Sequence, residues 1–396
     1  MSQQRSFFLP ITFMYTAIFA VVGPIIMFFP LFLEARNLSV VEIGYAISAM
    51  GVGKLLSVFI IAMYIDKSRA PHMYLVWAAL IGGLVMASVH IFDLRGAELI
   101  LVTFLFSCAW SMAVPLSEGF SMRACRLQKN LNYGHMRLFG SVSFLVMGTA
   151  VGFLIDKNGI SAFLPMVLMF LGFAVASAMF LPNFYHHEKA ANIIDDSEVK
   201  AQNLFKMVAS NVPLMVLIIG VAIMHSSHAV VFQYGPIFWS KSAYDKTMIS
   251  AFISMGVIAE VILFWFAARL NQLFSAKGLL LMAGVASAIR WFAMAFDPAT
   301  EFIFFFQSLH AFTFGALHLG VIRYINDTLQ GHYHSAAQLI YAGTMWGLVM
   351  IPVSAAAGYL YNDFGTDSYF IMSLIAVFGL AIAMIPFMSR RSVQAV

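Results

Sequence analysis

Apolar runs of about twenty residues recur along the chain, separated by short polar interruptions, and twenty residues is the length a helix needs to cross a bilayer. Twelve runs are predicted to span, at about 8–33, 40–64, 72–92, 98–121, 136–156, 160–182, 211–238, 247–268, 278–296, 301–324, 335–360 and 367–388. The one long polar stretch, 183–210, holds His186-His187-Glu188-Lys189 and Asp195-Asp196-Ser197-Glu198 and reads as a solvated linker. It leaves an N-terminal six-helix half at 1–182 and a C-terminal six-helix half at 211–396. The first run starts at Phe7 after Arg5 and continues to about Leu33. That is too long for a signal peptide's apolar core, and no small-x-small cleavage site follows, so an uncleaved first span is expected.

The two halves carry traces of one design. At an offset of 205, Met50 falls on Met255, Gly51 on Gly256, Ala62 on Ala267 and Asp66 on Asn271. At 206, Pro30-Leu31-Phe32 falls on Pro236-Ile237-Phe238. Six spans separate the copies, so they run in parallel and predict an all-α membrane protein of two parallel six-helix halves. Halves of that kind place substrate near the midplane where they meet and rock about it. Gly23-Pro24, Gly51-x-Gly53, Gly235-Pro236 and Pro352 are the expected flex points.

Composition agrees with the pattern. The 396 residues are 61% hydrophobic and 10% charged, with a mean hydropathy of +0.87, whereas a soluble domain carries about a quarter charged residues. The net charge of +4 is then no sign of nucleic-acid binding; what matters is where the charges lie. With the N-terminus inside, 15 Lys and Arg fall in cytoplasmic segments and 5 in outer loops, so both termini are expected in the cytoplasm. Cys108 and Cys125 are too few for a disulfide framework and lack metal-ligand spacing. No nucleophile–base constellation, phosphate loop or soluble domain supports an enzyme, and no cofactor or metal is expected.

Four charges remain inside the membrane: Lys54, Glu118, Glu260 and Arg290. A charge at membrane depth is expensive and marks function by default. Glu260 and Arg290 lie about halfway along adjacent spans, where an ion pair forms easily. Glu118 is either a proton-coupling group or an interfacial carboxylate paired with Arg123. Lys54 is too deep to snorkel and calls for a cavity or an acidic partner. His225 and His228, three apart, share one helix face; His310 and His318, eight apart with Phe314 between, form another stripe. Histidine suits a proton relay, and pairs at these spacings with no thiolate argue against zinc.

Asp66, Lys67 and Arg69, at the cytoplasmic end of span two, suit a latch to neighbouring helix ends and to anionic lipid. Twelve spans in two halves with this Asp66-Lys67-x-Arg69 loop resemble the major facilitator superfamily. More specific are Pro115-Leu116-Ser117-Glu118, Tyr133-Gly134-His135-Met136-Arg137-Leu138-Phe139-Gly140-Ser141, Gly256-Val257-Ile258-Ala259-Glu260-Val261, Ile289-Arg290-Trp291, Leu309-His310 and the run His318 to Ile325. Together they resemble the phenylpropionate permease branch, relatives of lactose permease and nucleoside–proton symporters. The loop departs from the superfamily pattern, with Ala62 and Arg69 at its two glycines and Ala70-Pro71 at its basic end.

The resemblance implies proton-coupled uptake of a small carboxylate across a bacterial inner membrane. Proton coupling is expected from Glu260, Glu118, His228, His318 and His310. Substrate contacts are expected from Arg290, Lys54, His225, Gln233 and Trp291, because guanidinium matches carboxylate in a bidentate fork. Gating is expected from Asp66, Lys67, Arg69, Arg137 and Arg323. The four fixed charges cancel, so an anionic substrate needs one more positive charge, which a proton would supply. Symport of a neutral polar substrate such as a nucleoside or glycoside, transport of a larger chelate, and export of hydrophobic compounds are the alternatives. The expected partners are the substrate, protons and membrane lipid, with no nucleic acid, and the chain is expected to be a monomer.

Overall fold

The structure is a computed structural model that describes residues 2–65, 68–184 and 201–388. All regular structure among the described residues is helical. Ten apolar helices match ten of the expected spans: α1 (Phe7–Ala35), α2 (Val40–Ile61), α3 (His72–Ile91), α4 (Glu98–Leu127), α5 (Tyr133–Asn158), α6 (Ile160–Met179), α7 (Val212–Lys241), α8 (Lys246–Trp265), α9 (Ala276–Met294) and α10 (Thr300–Thr328). The eleventh apolar stretch, His334–Phe387, has 54 residues. As one helix it would reach about 80 Å, far beyond a hydrocarbon core of about 30 Å. Gly365, with φ of 54°, breaks it. It is therefore two spans, α11 (334–364) and α12 (Ser368–Met384).

The chain forms two compact units. One holds α1–α6 together with Pro236–Ala251, where α7 ends and α8 begins; the other holds the rest of α7 and α8 with α9–α12. The handover falls between Gly235 and Pro236, one of the expected flex points. Most of the expected linker, along with Asp66 and Lys67, lies outside the described residues.

In the first unit α1 packs on α5 and α6, α2 on α4, and α3 on α4 and α6. Two expected flex points are sites of close contact. A Cβ on Gly23 would stand 2.6 Å from the Phe144 carbonyl oxygen, and one on Gly53 would stand 2.7 Å from that of Phe104. Their hydrogens let backbones meet, as small residues do in membrane helices.

The repeat reappears at three corners in each half. Left-handed φ angles occur at Asn37 (68°) and Ala243 (67°), at Asp93 and Asp297 (46° each), and at Gly159 (79°) and Gly365 (54°). Two residues beyond the first pair the caps also correspond: Ser39 accepts from Glu42 N, and Asp245 from Met248 N, capping α2 and α8 alike. At one corner Asp93 bonds Arg36 and Arg95, both at 2.8 Å. Arg95, then Arg36, hold its carboxyl below the usual carboxylate range.

The segment Pro236–Ala251 is gripped by α1 and α5. Lys241 Nζ meets Glu34 at 2.7 Å. Asp156 accepts from Lys246 N at 2.7 Å, Thr247 N at 3.0 Å and Thr247 Oγ1 at 2.7 Å. Those amides open α8 and have no partner within their own helix, so a residue 90 positions earlier serves as a second cap.

In the second unit α12 packs on α7 and α9, and α9 on α10. A Cβ on Gly220 would lie 2.8 Å from Ala383 Cα, so α7 and α12 approach backbone to backbone. Leu217, Val221, Leu280, Leu317 and Val321 belong to the core beneath.

Candidate functional site

Three helices of the second unit lose regularity partway along their length. The helix α7 is interrupted between Ser226 and Ala229. At the break the Met224 carbonyl accepts from Ser227 Oγ at 2.6 Å, and the His225 carbonyl meets His228 Nδ1 at 2.9 Å. Side chains thus satisfy groups that hydrocarbon could not, the condition under which a membrane helix tolerates a break. In α10 a π-helical segment runs from Ala311 to Ala316, and in α11 another runs from Thr344 to Val349. Such segments are rare and concentrate at functional sites.

Arg290 of α9, which is 1% exposed, lies against the π-helical segment of α10. Its Nη2 donates to Gln307 Oε1 at 2.7 Å, and its Nη1 donates to Thr313 Oγ1 at 3.0 Å and lies 3.3 Å from His310 Nδ1. The guanidinium carbon lies 4.5 Å from the Trp291 ring centroid, close enough for cation–π attraction. Its Nε has no hydrogen-bond partner, and neither does Gln307 Nε2.

Between Glu260 and Arg290, expected to pair, stands His310. His310 Nε2 lies 3.6 Å from Glu260 Oε2, while its Nδ1 faces Arg290. A guanidinium only donates, so Nδ1 is the acceptor and Nε2–H points at the carboxylate. His310 thus stands between the two charges as a neutral ring. Gly256 lets α8 come this close, for a Cβ there would lie 3.1 Å from His310 Cβ.

A second chain leaves Arg290 in the other direction. Thr313 Oγ1 lies 2.9 Å from His228 Nε2. The His225 carbonyl can only accept, so His228 carries its proton on Nδ1. The order Arg290, Thr313, His228, His225 carbonyl therefore has one direction of donation.

The four histidines fall into place around this network. His310, Phe314 and His318 form a ladder of nearly parallel rings, with centroids 5.5 and 6.4 Å apart. His225 lies 5.1 Å from His228 and 4.6 Å from Trp346 by ring centroids. Trp291 donates its indole N–H to Ser227 Oγ at 2.8 Å. Gln233 is buried on α7, and its Oε1 has no hydrogen-bond partner. Sequence reasoning passed over Ser227, Gln307, Thr313 and Trp346, because neutral polar and aromatic residues carry no signal without a partner in view.

Other expected residues belong to other elements. Lys54 is on α2 and Glu118 on α4, both in the first unit. Glu118 meets Arg137 of α5 at 3.5 Å. Arg69 is exposed in the loop after α2. Arg323 donates to the carbonyls of Asn271 and Phe274 and lies 3.4 Å from Asp327, fixing the end of a short helix after α8.

Apolar helices of spanning length that enclose a buried polar network have the build of a solute transporter. The chain belongs to the MFS_1 like family, whose model matches residues 8–372. It is therefore a multi-pass transporter of the major facilitator type rather than an enzyme. It is 28% identical over 361 residues to a "Probable 3-phenylpropionic acid transporter" of Escherichia coli (strain K12), covering 90% of this chain and 91% of that one. Among solved structures it is similar to the nucleoside transporter NupG, with a TM-score of 0.80 at 14% identity, covering 97% of this chain and 99% of that one. It is also similar to a D-xylose-proton symporter, with a TM-score of 0.67 at 14% identity and 99% of each chain covered.

Proposed function

We propose that the chain carries a small organic carboxylate, preferably aromatic, into a bacterial cell with a proton, by alternating access in the inner membrane. The observation that carries this reading is Arg290: a buried guanidinium whose hydrogen bonds go to the neutral groups Gln307, Thr313 and His310, with its Nε open. Burying an uncompensated charge is costly, so an anion that reaches Arg290 gains much of what the site lacks. Glu260 supplies compensation through His310 while ionised. When it takes a proton, the positive charge is uncovered, and substrate and proton bind together. The similarity to a probable 3-phenylpropionic acid transporter supports the aromatic acid, and Trp291 and Phe232 supply ring surface beside the site. We place both termini in the cytoplasm, on the basic-residue count.

A second reading, symport of a nucleoside-like neutral substrate, draws on the TM-score of 0.80 with a nucleoside transporter. Arg290→Ala separates the two in a calorimetric binding assay. Loss of 3-phenylpropionate binding by about a hundredfold, with its neutral amide unaffected, supports the carboxylate. Equal loss of both supports the neutral substrate. Glu260→Gln is expected to abolish accumulation driven by a pH gradient and to spare substrate exchange. Gradient-driven accumulation that persists removes Glu260 as the proton carrier.

A further inference from the structure

The direction of the chain from Arg290 to His225 has a chemical consequence at its middle member. A threonine hydroxyl has one proton, and here that proton must point at His228 Nε2, because Nδ1 already donates to a carbonyl. The oxygen meanwhile accepts from Arg290. If His228 takes a proton at Nε2, that nitrogen becomes a donor and the hydroxyl must turn. Its oxygen then accepts from both Arg290 and His228, and its own proton is freed. No bond breaks; one proton arrives from solution and one hydroxyl rotates about Cβ–Oγ.

We propose that Thr313 is a specificity-determining residue whose hydroxyl adds a hydrogen bond to an anion on Arg290 only when His228 is protonated. This rests on the reading that Arg290 anchors a carboxylate, and it adds a second proton-sensitive step beside Glu260. Among the described residues, His228 faces His225 on its own helix, Arg290 on α9, and His310 on α10, with Glu260 of α8 behind His310. Trp291 touches it and stacks on Tyr369 of α12. A cationic His228 beside Arg290 is untenable without an anion between them. Anion and proton therefore each raise the affinity for the other by the same factor.

The test removes Glu260 first. In full-length Glu260→Gln, binding of 3-phenylpropionate is measured by calorimetry between about pH 5.5 and 7.5, across the ordinary histidine range. The affinity is expected to rise by up to about tenfold per unit fall in pH, the limit for one linked proton. Adding Thr313→Val, which keeps the shape and loses the hydroxyl, should make that profile shallower and weaken acid-side binding about tenfold. Adding Thr313→Ser should restore both, which a merely structural role would not do. A flat profile in Glu260→Gln alone, or one whose slope and acid-side affinity Thr313→Val leaves unaltered, overturns the proposal and spares the carboxylate reading. No binding of 3-phenylpropionate by the unaltered protein at any pH overturns both. Should Thr313→Val fail to fold, Thr313→Ala with the serine variant as control gives the same two outcomes.

Discussion

At the scale of single residues, the site is held by neutral groups that aim charged ones. Ser227 illustrates the cost of losing one. Its hydroxyl accepts from the buried Trp291 indole and donates to the Met224 carbonyl. Ser227→Ala should lower stability by about 1 kcal/mol, slightly above the mean for hydrogen bonds between membrane helices because a buried N–H is left bare. Thermal unfolding in detergent reads this directly, and an unchanged midpoint would mean that water replaces the hydroxyl. Charges were legible in the sequence because membrane depth makes them conspicuous. Arg290, Glu260 and three of the histidines do meet in one place. Gln307 and Thr313 were not legible, since whether a Gln or Thr on a helix serves a partner depends on rotation about the axis.

At the scale of elements, helices approach one another as closely as their glycines allow. Gly220→Val would drive side-chain atoms into the Ala383 backbone. It is expected to prevent a monodisperse protein on size-exclusion chromatography. Gly172→Ala, with nothing within 4 Å of the added carbon, should be neutral or stabilising by less than about 1 kcal/mol. The twelve spans were readable from length and hydropathy alone. The break in α7 and the π segments in α10 and α11 were not, because an interrupted membrane helix is as apolar as a continuous one. What betrays the interruption is the hydrogen bonding of Ser227 and His228 to carbonyls one turn back.

At the scale of the molecule, the first unit keeps hold of Pro236–Ala251 through Asp156, whose carboxylate covers the opening amides of α8. Asp245 caps the same helix from within the chain. Removing Asp156 should therefore loosen the grip without melting α8. Asp156→Ala is expected to raise the rate at which a membrane-impermeant maleimide labels Thr247→Cys, and an unaltered rate would show that Lys241–Glu34 suffices. Asp93 gives the internal control for acidity. Its depressed carboxyl contributes stability above the ordinary carboxylate range and loses it only as pH falls through its lowered value, so mild acid leaves that corner intact. The offset near 205 was visible in a few residues of the first two spans; the corners extend it to three matched turns per copy. Ala243 is the weakest of them, an alanine at φ 67°. Ala243→Asn is expected to stabilise by about 1 kcal/mol, since alanine pays for the left-handed region and asparagine pays less. For anyone placing a tag, antibody epitope or fluorophore in a connecting loop, these corners are poor insertion points. The chain reverses there on a single residue of unusual handedness, so an insert would have to supply a new turn before it could display anything.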